Sequence, residues 1–121
     1  MTDQSSPLPS ERREYTRVML RANGRLTAPN GESFKVRALD ISAGGVAAVA
    51  QSNLKEGSVF RINLPLPLRP QGTIALEADV EVMHSIFSNQ EDGFKLGLRF
   101  TKLEQKASSA IMAFVKSSLS S

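Results

Sequence analysis

A chain of 121 residues with 40% hydrophobic and 22% charged residues has the size and balance of one globular domain, able to bury a single core without metal or cross-links. It has no cysteine, which excludes disulfides, thiolate metal sites and cysteine nucleophiles together and agrees with a reducing compartment. The start lacks a basic region followed by an apolar run, and no stretch approaches the ~18 apolar residues of a membrane span, so a cytoplasmic protein with no direct membrane insertion is expected.

The formal net charge of +3 is unevenly placed: residues 11–37 hold seven Arg or Lys against three Glu, whereas residues 38–121 hold eight of each sign. A local excess suits a compact anionic partner and does not suit the general coating that a nucleic acid polymer would require.

The first ten residues, MTDQSSPLPS, are polar and proline-containing and predict a disordered tail. An arm follows over 11–17, with RREYTR at 12–17 placing Arg13 and Arg17 four apart. Arginine contributes little to a core and is costly to immobilise, so the arm is either well solvated or held by something anionic. From Val18, Leu20, Ala22, Gly24 and Leu26 share one phase and Arg21, Asn23 and Arg25 the other, the pattern of a half-buried strand. Asn30-Gly31 offers the positive φ of a hairpin turn, and FKVRALD is the return strand. A second turn, SAGG, precedes the short apolar VAAVA, and NLKEG makes the next reversal. Phe60, Ile62 and Leu64 alternate with polar residues until PLPLRPQG, whose prolines predict a loop or an edge and the end of the strand. Residues 73–87 form a long alternating strand with Glu77, Asp79 and Glu81 outward, and GFKLGLRF closes the series with Phe94, Leu96, Leu98 and Phe100 on one face. Six strands linked by short turns predict an all-β, closed or nearly closed antiparallel barrel occupying residues 18–100. The period then changes. Thr101 and Glu104 have capping-box spacing, and Leu103, Ala107, Ala110, Ile111, Phe114 and Val115 form an apolar stripe, predicting a covering C-terminal helix over 102–116 and a frayed tail over 117–121.

Side chains for catalysis are scarce, and the chain does not read as an enzyme. His84 is the single histidine; it follows Val80 and Val82 in the inward phase and is expected in the core or at its edge, without the partner that general-base work needs. Glu77, Asp79 and Glu81 read as a solvated strand face with no further ligand at metal spacing. DISAGG, residues 40–45, lacks the lysine and the length of a phosphate-binding P-loop. It reads as a turn in which Asp40 and Ser42 bond nearby amides and Gly44 or Gly45 supplies positive φ. Coming after a basic arm whose close acidic neighbour is Glu14, it also reads as half of an anion site.

Taken together, these two stretches resemble the motifs of the PilZ domain family of bacterial cyclic di-GMP receptors. RxxxR is present as Arg13 to Arg17 with Arg12 before it, D/NxSxxG as Asp40 to Gly45, and a late GxxF strand as Gly97 to Phe100. The similarity covers residues 11–116, which the family builds as a six-stranded barrel with a terminal helix. It implies a stand-alone receptor in second-messenger signalling, with outputs in motility or biofilm formation, no cofactor, and an effector protein as partner. The implied ligand contacts are Arg13 and Arg17 as a clamp and Asp40, Ser42 and Gly45 as the barrel-side floor, extended by Arg12 and Gly44. The chemistry suits the residues. Arginine's fork bonds phosphate bidentately and reads guanine O6 and N7, and a carboxylate accepts from guanine N1–H and N2–H₂, which arginine cannot. Arg13 and Arg17 would lie about 13 Å apart in an extended arm and about 6 Å apart in a helical turn. Ligand would order the arm across the barrel and create a surface for the effector. Two alternatives are a PilZ-like adaptor that binds pilus, motility or exopolysaccharide machinery without nucleotide, and a single-stranded nucleic-acid-binding barrel. The latter fits poorly with 6% aromatics and with Phe34, Phe60, Phe94 and Phe100 in inward phases.

Overall fold

In this computed structural model, which describes residues 16–119, the alternation in the sequence becomes the inside and outside of a barrel. Residues 1–10, Arg12, Arg13 and most of the arm lie outside the described residues. Six strands, β1 (Val18–Thr27), β2 (Ser33–Ile41), β3 (Gly45–Ala50), β4 (Val59–Pro67), β5 (Thr73–Ser88) and β6 (Gly93–Lys102), are followed by a helix, α1 (Gln105–Leu119). The strands close in the order β1-β2-β3-β6-β5-β4, with every neighbouring pair antiparallel.

Leu26, Ile41, Ile62, Leu76, Val80, Val82 and Leu96 are all but inaccessible to solvent. Each such side chain contributes roughly 1.5–3 kcal/mol through burial, which is why the period-two pattern fixes the face so firmly. Phe60 and Phe100 are buried, and Phe34 and Phe94 pack partly buried against the same core, as their phases predict. Phe34 and Phe60 meet edge to face with ring centroids 5.8 Å apart, the arrangement that aromatic quadrupoles favour. At the first hairpin, Gly31 has φ 93°, and Asn30 Oδ1 accepts from the Glu32 amide at 2.9 Å.

The proline-rich stretch departs from the sequence reading. β4 does not stop before Pro65 but continues to Pro67, pairing with β5 as far as Pro67 opposite Thr73. A Cβ on Gly24 would run into the Asn63 carbonyl, so the backbone of Asn63, and with it that of Pro65 and Pro67, is turned toward β1. The missing N–H groups therefore fall on the β1 side, and the β1–β4 register there consists of Arg25 with Asn63, Leu26 with Ile62 and Thr27 with Arg61. Proline is tolerated where a ladder has no use for its donor. Here that place is a seam of the barrel.

The helix also differs. β6 runs through Thr101 to Lys102, and α1 spans Gln105–Leu119 in place of 102–116. Thr101 is thus a strand residue and not a cap, and the Glu104 carbonyl accepts the early helical bond from the Ser108 amide at 2.9 Å. Pairing of Lys102 with Asp79 across the β5–β6 ladder outweighs the capping-box spacing, because tertiary pairing overrides a local terminus signal. The apolar stripe is as expected: Ala107, Ala110, Ile111 and Phe114 are buried in the core shared with the barrel, and α1 packs against β5 and β4.

Candidate functional site

Two β-bulges determine which side chains reach the outer face near the β2–β3 corner. In the β2–β3 ladder Ala38 pairs with Ala48, but the next pair is Asp40 with Ala47. One extra residue, Leu39, shifts the phase, so that Asp40 is directed outward while Ala38 and Ile41 on either side stay buried. In the β5–β6 ladder Val82 pairs with Leu98 and the next pair is His84 with Gly97. Met83 is the extra residue there, and His84 is exposed. This corrects the inward placement expected for His84: strict alternation from Val80 and Val82 fails at the bulge. Re-aiming a side chain is a common use of a bulge beside a site.

Arg17 stands two residues before the β1 pair Met19–Asp40, and its guanidinium donates to Asp40 Oδ1 at 2.8 Å. The acidic partner of this arginine is therefore on the barrel, although the sequence offered Glu14 as the near neighbour. The side chains of Arg17 and Asp40 are 63% and 28% exposed. Ion pairs this exposed contribute little to stability, which leaves both groups available to a ligand.

DISAGG is held as a tight corner. The Ser42 amide donates to the Gly45 carbonyl at 2.9 Å, and the Phe100 amide to the Gly44 carbonyl at 3.0 Å. Ser42 is 2% exposed, and its Oγ accepts from the Gly44 amide at 3.1 Å. This is the side-chain-to-backbone turn bond expected of the serine. The positive φ expected at Gly44 or Gly45 is not there: among the described residues the glycines with positive φ are Gly31, Gly57 and Gly72. Gly45 is required for another reason. A Cβ on it would collide with the Leu98 carbonyl of β6, so its hydrogen permits close approach of β3 to β6.

Arg17, Asp40, Ser42, Gly44 and Gly45 line one open concavity of about 960 Å³ on the outer face. The structure thus brings together all five expected site residues that it describes; Arg12 and Arg13 lie outside the described residues. Sequence reasoning missed the remainder of the rim, in which His84, Lys95 and Arg99 surround small floor residues that include Ala47 and Gly97. A Cβ on Gly97 would run into the His84 ring, so the imidazole lies directly over that glycine. Arg99 bonds Glu81 at 2.6 Å. The signal was present in GFKLGLRF: the inward phase drew attention, whereas the outward phase reads Lys95, Gly97, Arg99, two cations around a residue with no side chain. Glu77 and Asp79, read as a solvated face, are engaged by Arg61 at 3.8 and 3.0 Å.

A cation-rimmed, small-floored concavity beside a corner carboxylate thus lies on the outer surface of a closed six-stranded antiparallel β-barrel with one C-terminal helix. The model of the PilZ domain family matches residues 11–117, and the chain belongs to that family. Solved structures with the same fold include the Bacillus subtilis inhibitor of motility MotI/DgrA, at a TM-score of 0.72 and 17% identity over 99% of this chain and 53% of that one. The PilZ domain of Escherichia coli YcgR with c-di-GMP matches at 0.66 and 16% identity, over 90% of this chain and 92% of that one. YcgR in complex with c-di-GMP, also from E. coli, matches at 0.68 and 20% identity, over 88% of this chain and 45% of that one. The chain therefore spans about half the length of MotI/DgrA and of that YcgR chain. No curated protein sequence matches it. Among the described residues no helix is long and apolar enough to cross a membrane.

Proposed function

We propose that this protein is a bacterial cytoplasmic receptor for cyclic di-GMP that binds the dinucleotide in the Arg17–Asp40 concavity and, through its N-terminal arm, regulates a partner protein. The observation that carries the reading is the 2.8 Å contact between Arg17 and Asp40, which joins the RxxxR and DxSxxG stretches at one rim. Arg12, Arg13 and Arg17 supply forks for phosphate and for guanine O6 and N7, and Asp40 accepts from guanine N1–H and N2–H₂. Ser42 acts mainly by holding the corner in shape. Ala47 leaves a low floor beside the His84 ring, which covers Gly97, and a flat base can lie there; Gly45 keeps β3 against β6. The partner class is motility or biofilm machinery; the name of MotI/DgrA as an inhibitor of motility supports the motility output, and the c-di-GMP complexes of YcgR support the ligand.

Binding recruits the arm, and the rearranged arm presents a new surface. Calorimetric titration with cyclic di-GMP tests the first half and returns affinity and stoichiometry together; saturable heat is expected, and its absence would leave the nucleotide-free adaptor as the function. Amide hydrogen exchange over residues 11–17 tests the second half. Protection rises at saturating dinucleotide if the arm is the switch, and unchanged protection removes the switch while leaving the receptor intact.

A further inference from the structure

On the outside of the barrel, two cations face each other across a ladder. Arg25 of β1 and Lys35 of β2 are directly paired, both exposed, and like charges directly opposite one another destabilise a sheet. The Arg25 guanidinium donates to the Ser33 hydroxyl at 3.2 Å. Among the described residues neither Arg25 nor Lys35 has a carboxylate within ion-pair distance. Arg61 is neutralised by Glu77 and Asp79, Arg99 by Glu81, and Arg37 by Glu91 at 3.1 Å, whereas exposed Arg21 and Lys95 have no carboxylate within ion-pair distance among the described residues but do not face a second cation across a ladder. Two cations placed directly opposite one another are a local choice that opposes the fold, the pattern of a functional position.

The pair lies in a second concavity of about 940 Å³, which shares no lining residue with the Arg17–Asp40 concavity. Asn23, Gln51 and Asn63 place three side-chain amides around it, of which Gln51 also donates to the Asp92 carbonyl at 3.1 Å, and the exposed Pro65 and Ala75 add apolar surface. Amides both donate and accept, as a peptide backbone does. Among the described residues no aromatic side chain lines this surface, so nucleic acid bases find no stacking platform there.

From this arrangement we infer that the outer face of β1, β2 and β4 is a docking surface for an acidic segment of a partner protein. Its carboxylates pair with Arg25 and Lys35, and its main chain bonds the amides. The surface is separate from the nucleotide concavity and is available whether or not that is occupied.

Fluorescence anisotropy of a short labelled glutamate-rich peptide, titrated with the full chain at low and high salt, tests the inference. The wild type binds and weakens with salt, Arg25→Gln/Lys35→Gln weakens binding by about tenfold or more, and Lys102→Gln binds as the wild type does. A second variant, Lys35→Glu alone, changes one exposed side chain and also weakens the peptide. Arg17→Ala retains peptide binding even where it loses cyclic di-GMP, which separates this inference from the receptor reading. Equal losses in the Lys102→Gln and Arg25→Gln/Lys35→Gln proteins, no loss in the latter, loss in Arg17→Ala, or tighter binding of a labelled oligothymidine than of the peptide would each overturn it.

Discussion

The Arg17 guanidinium and the Asp40 carboxylate, 23 positions apart in sequence, meet at 2.8 Å on the rim of the outer concavity. The two groups neutralise each other in this conformation, and a dinucleotide bound as proposed would take both from that pairing. The exchange is small in energy because the arginine side chain is 63% exposed.

Removing an arginine from the clamp should cost charge-assisted bonds. Arg17→Ala and Arg13→Ala are each expected to weaken cyclic di-GMP binding by roughly 1.5–3 kcal/mol, about ten- to a hundredfold. Calorimetry on the two variants checks this, and thermal unfolding should show Arg17→Ala within about 0.5 kcal/mol of the wild type. An affinity equal to that of the wild type would remove the residue from the site.

Gly45 acts on the fold before it acts on any ligand. The Leu98 carbonyl occupies the space a Cβ would need, so Gly45→Ala has to push β3 away from β6 and should destabilise the barrel by about 1–3 kcal/mol. Urea unfolding of this variant measures the loss. A stability equal to that of the wild type would mean that the two strands part freely there.

His84 has the opposite profile. It is exposed and lies over Gly97, so His84→Ala should change stability by less than about 0.5 kcal/mol. If the imidazole stacks on a guanine, the same substitution weakens cyclic di-GMP by roughly 1–3 kcal/mol. Calorimetry and thermal unfolding on one preparation separate the two effects, and an unchanged affinity would place the ring outside the ligand's footprint.

Lys35→Glu replaces a repulsive cross-strand pair with an attractive one opposite Arg25. Stability should rise by about 0.2–1 kcal/mol, read as a higher midpoint in urea. A fall in midpoint would mean that the two cations do not repel in the folded state.

The barrel was legible because its strands bury one face: a slip of β4 by one residue would expose Phe60, Ile62, Leu64 and Leu66 together, so the pattern in sequence has to be the pattern in space. Legibility stopped where the chain breaks phase. Met83 and Leu39 are bulge residues, and nothing in a period-two reading marks the extra residue that turns His84 and Asp40 outward. Pro65 and Pro67 were misread because their effect depends on which neighbour their backbone faces, which is set by closure with β1. The site was legible as two stretches, and Arg17, Asp40, Ser42, Gly44 and Gly45 do line one concavity. The Arg17–Asp40 pair required the irregular β1–β2 register that sets Met19 opposite Asp40, and the rim of His84, Lys95 and Arg99 required strand order, since β6 lies beside β3 only after the crossover.

The central claim is that the arginine arm and the DISAGG corner close on the same cyclic nucleotide. A two-dimensional NMR titration of labelled protein with cyclic di-GMP tests it most directly. The account predicts that the Arg17 signal, the amides of Asp40 to Gly45 and that of Gly97 shift along one binding curve, with Arg25 and Lys35 unmoved. Shifts confined to Arg25 and Lys35, or a corner that stays still while Arg17 responds, would contradict it.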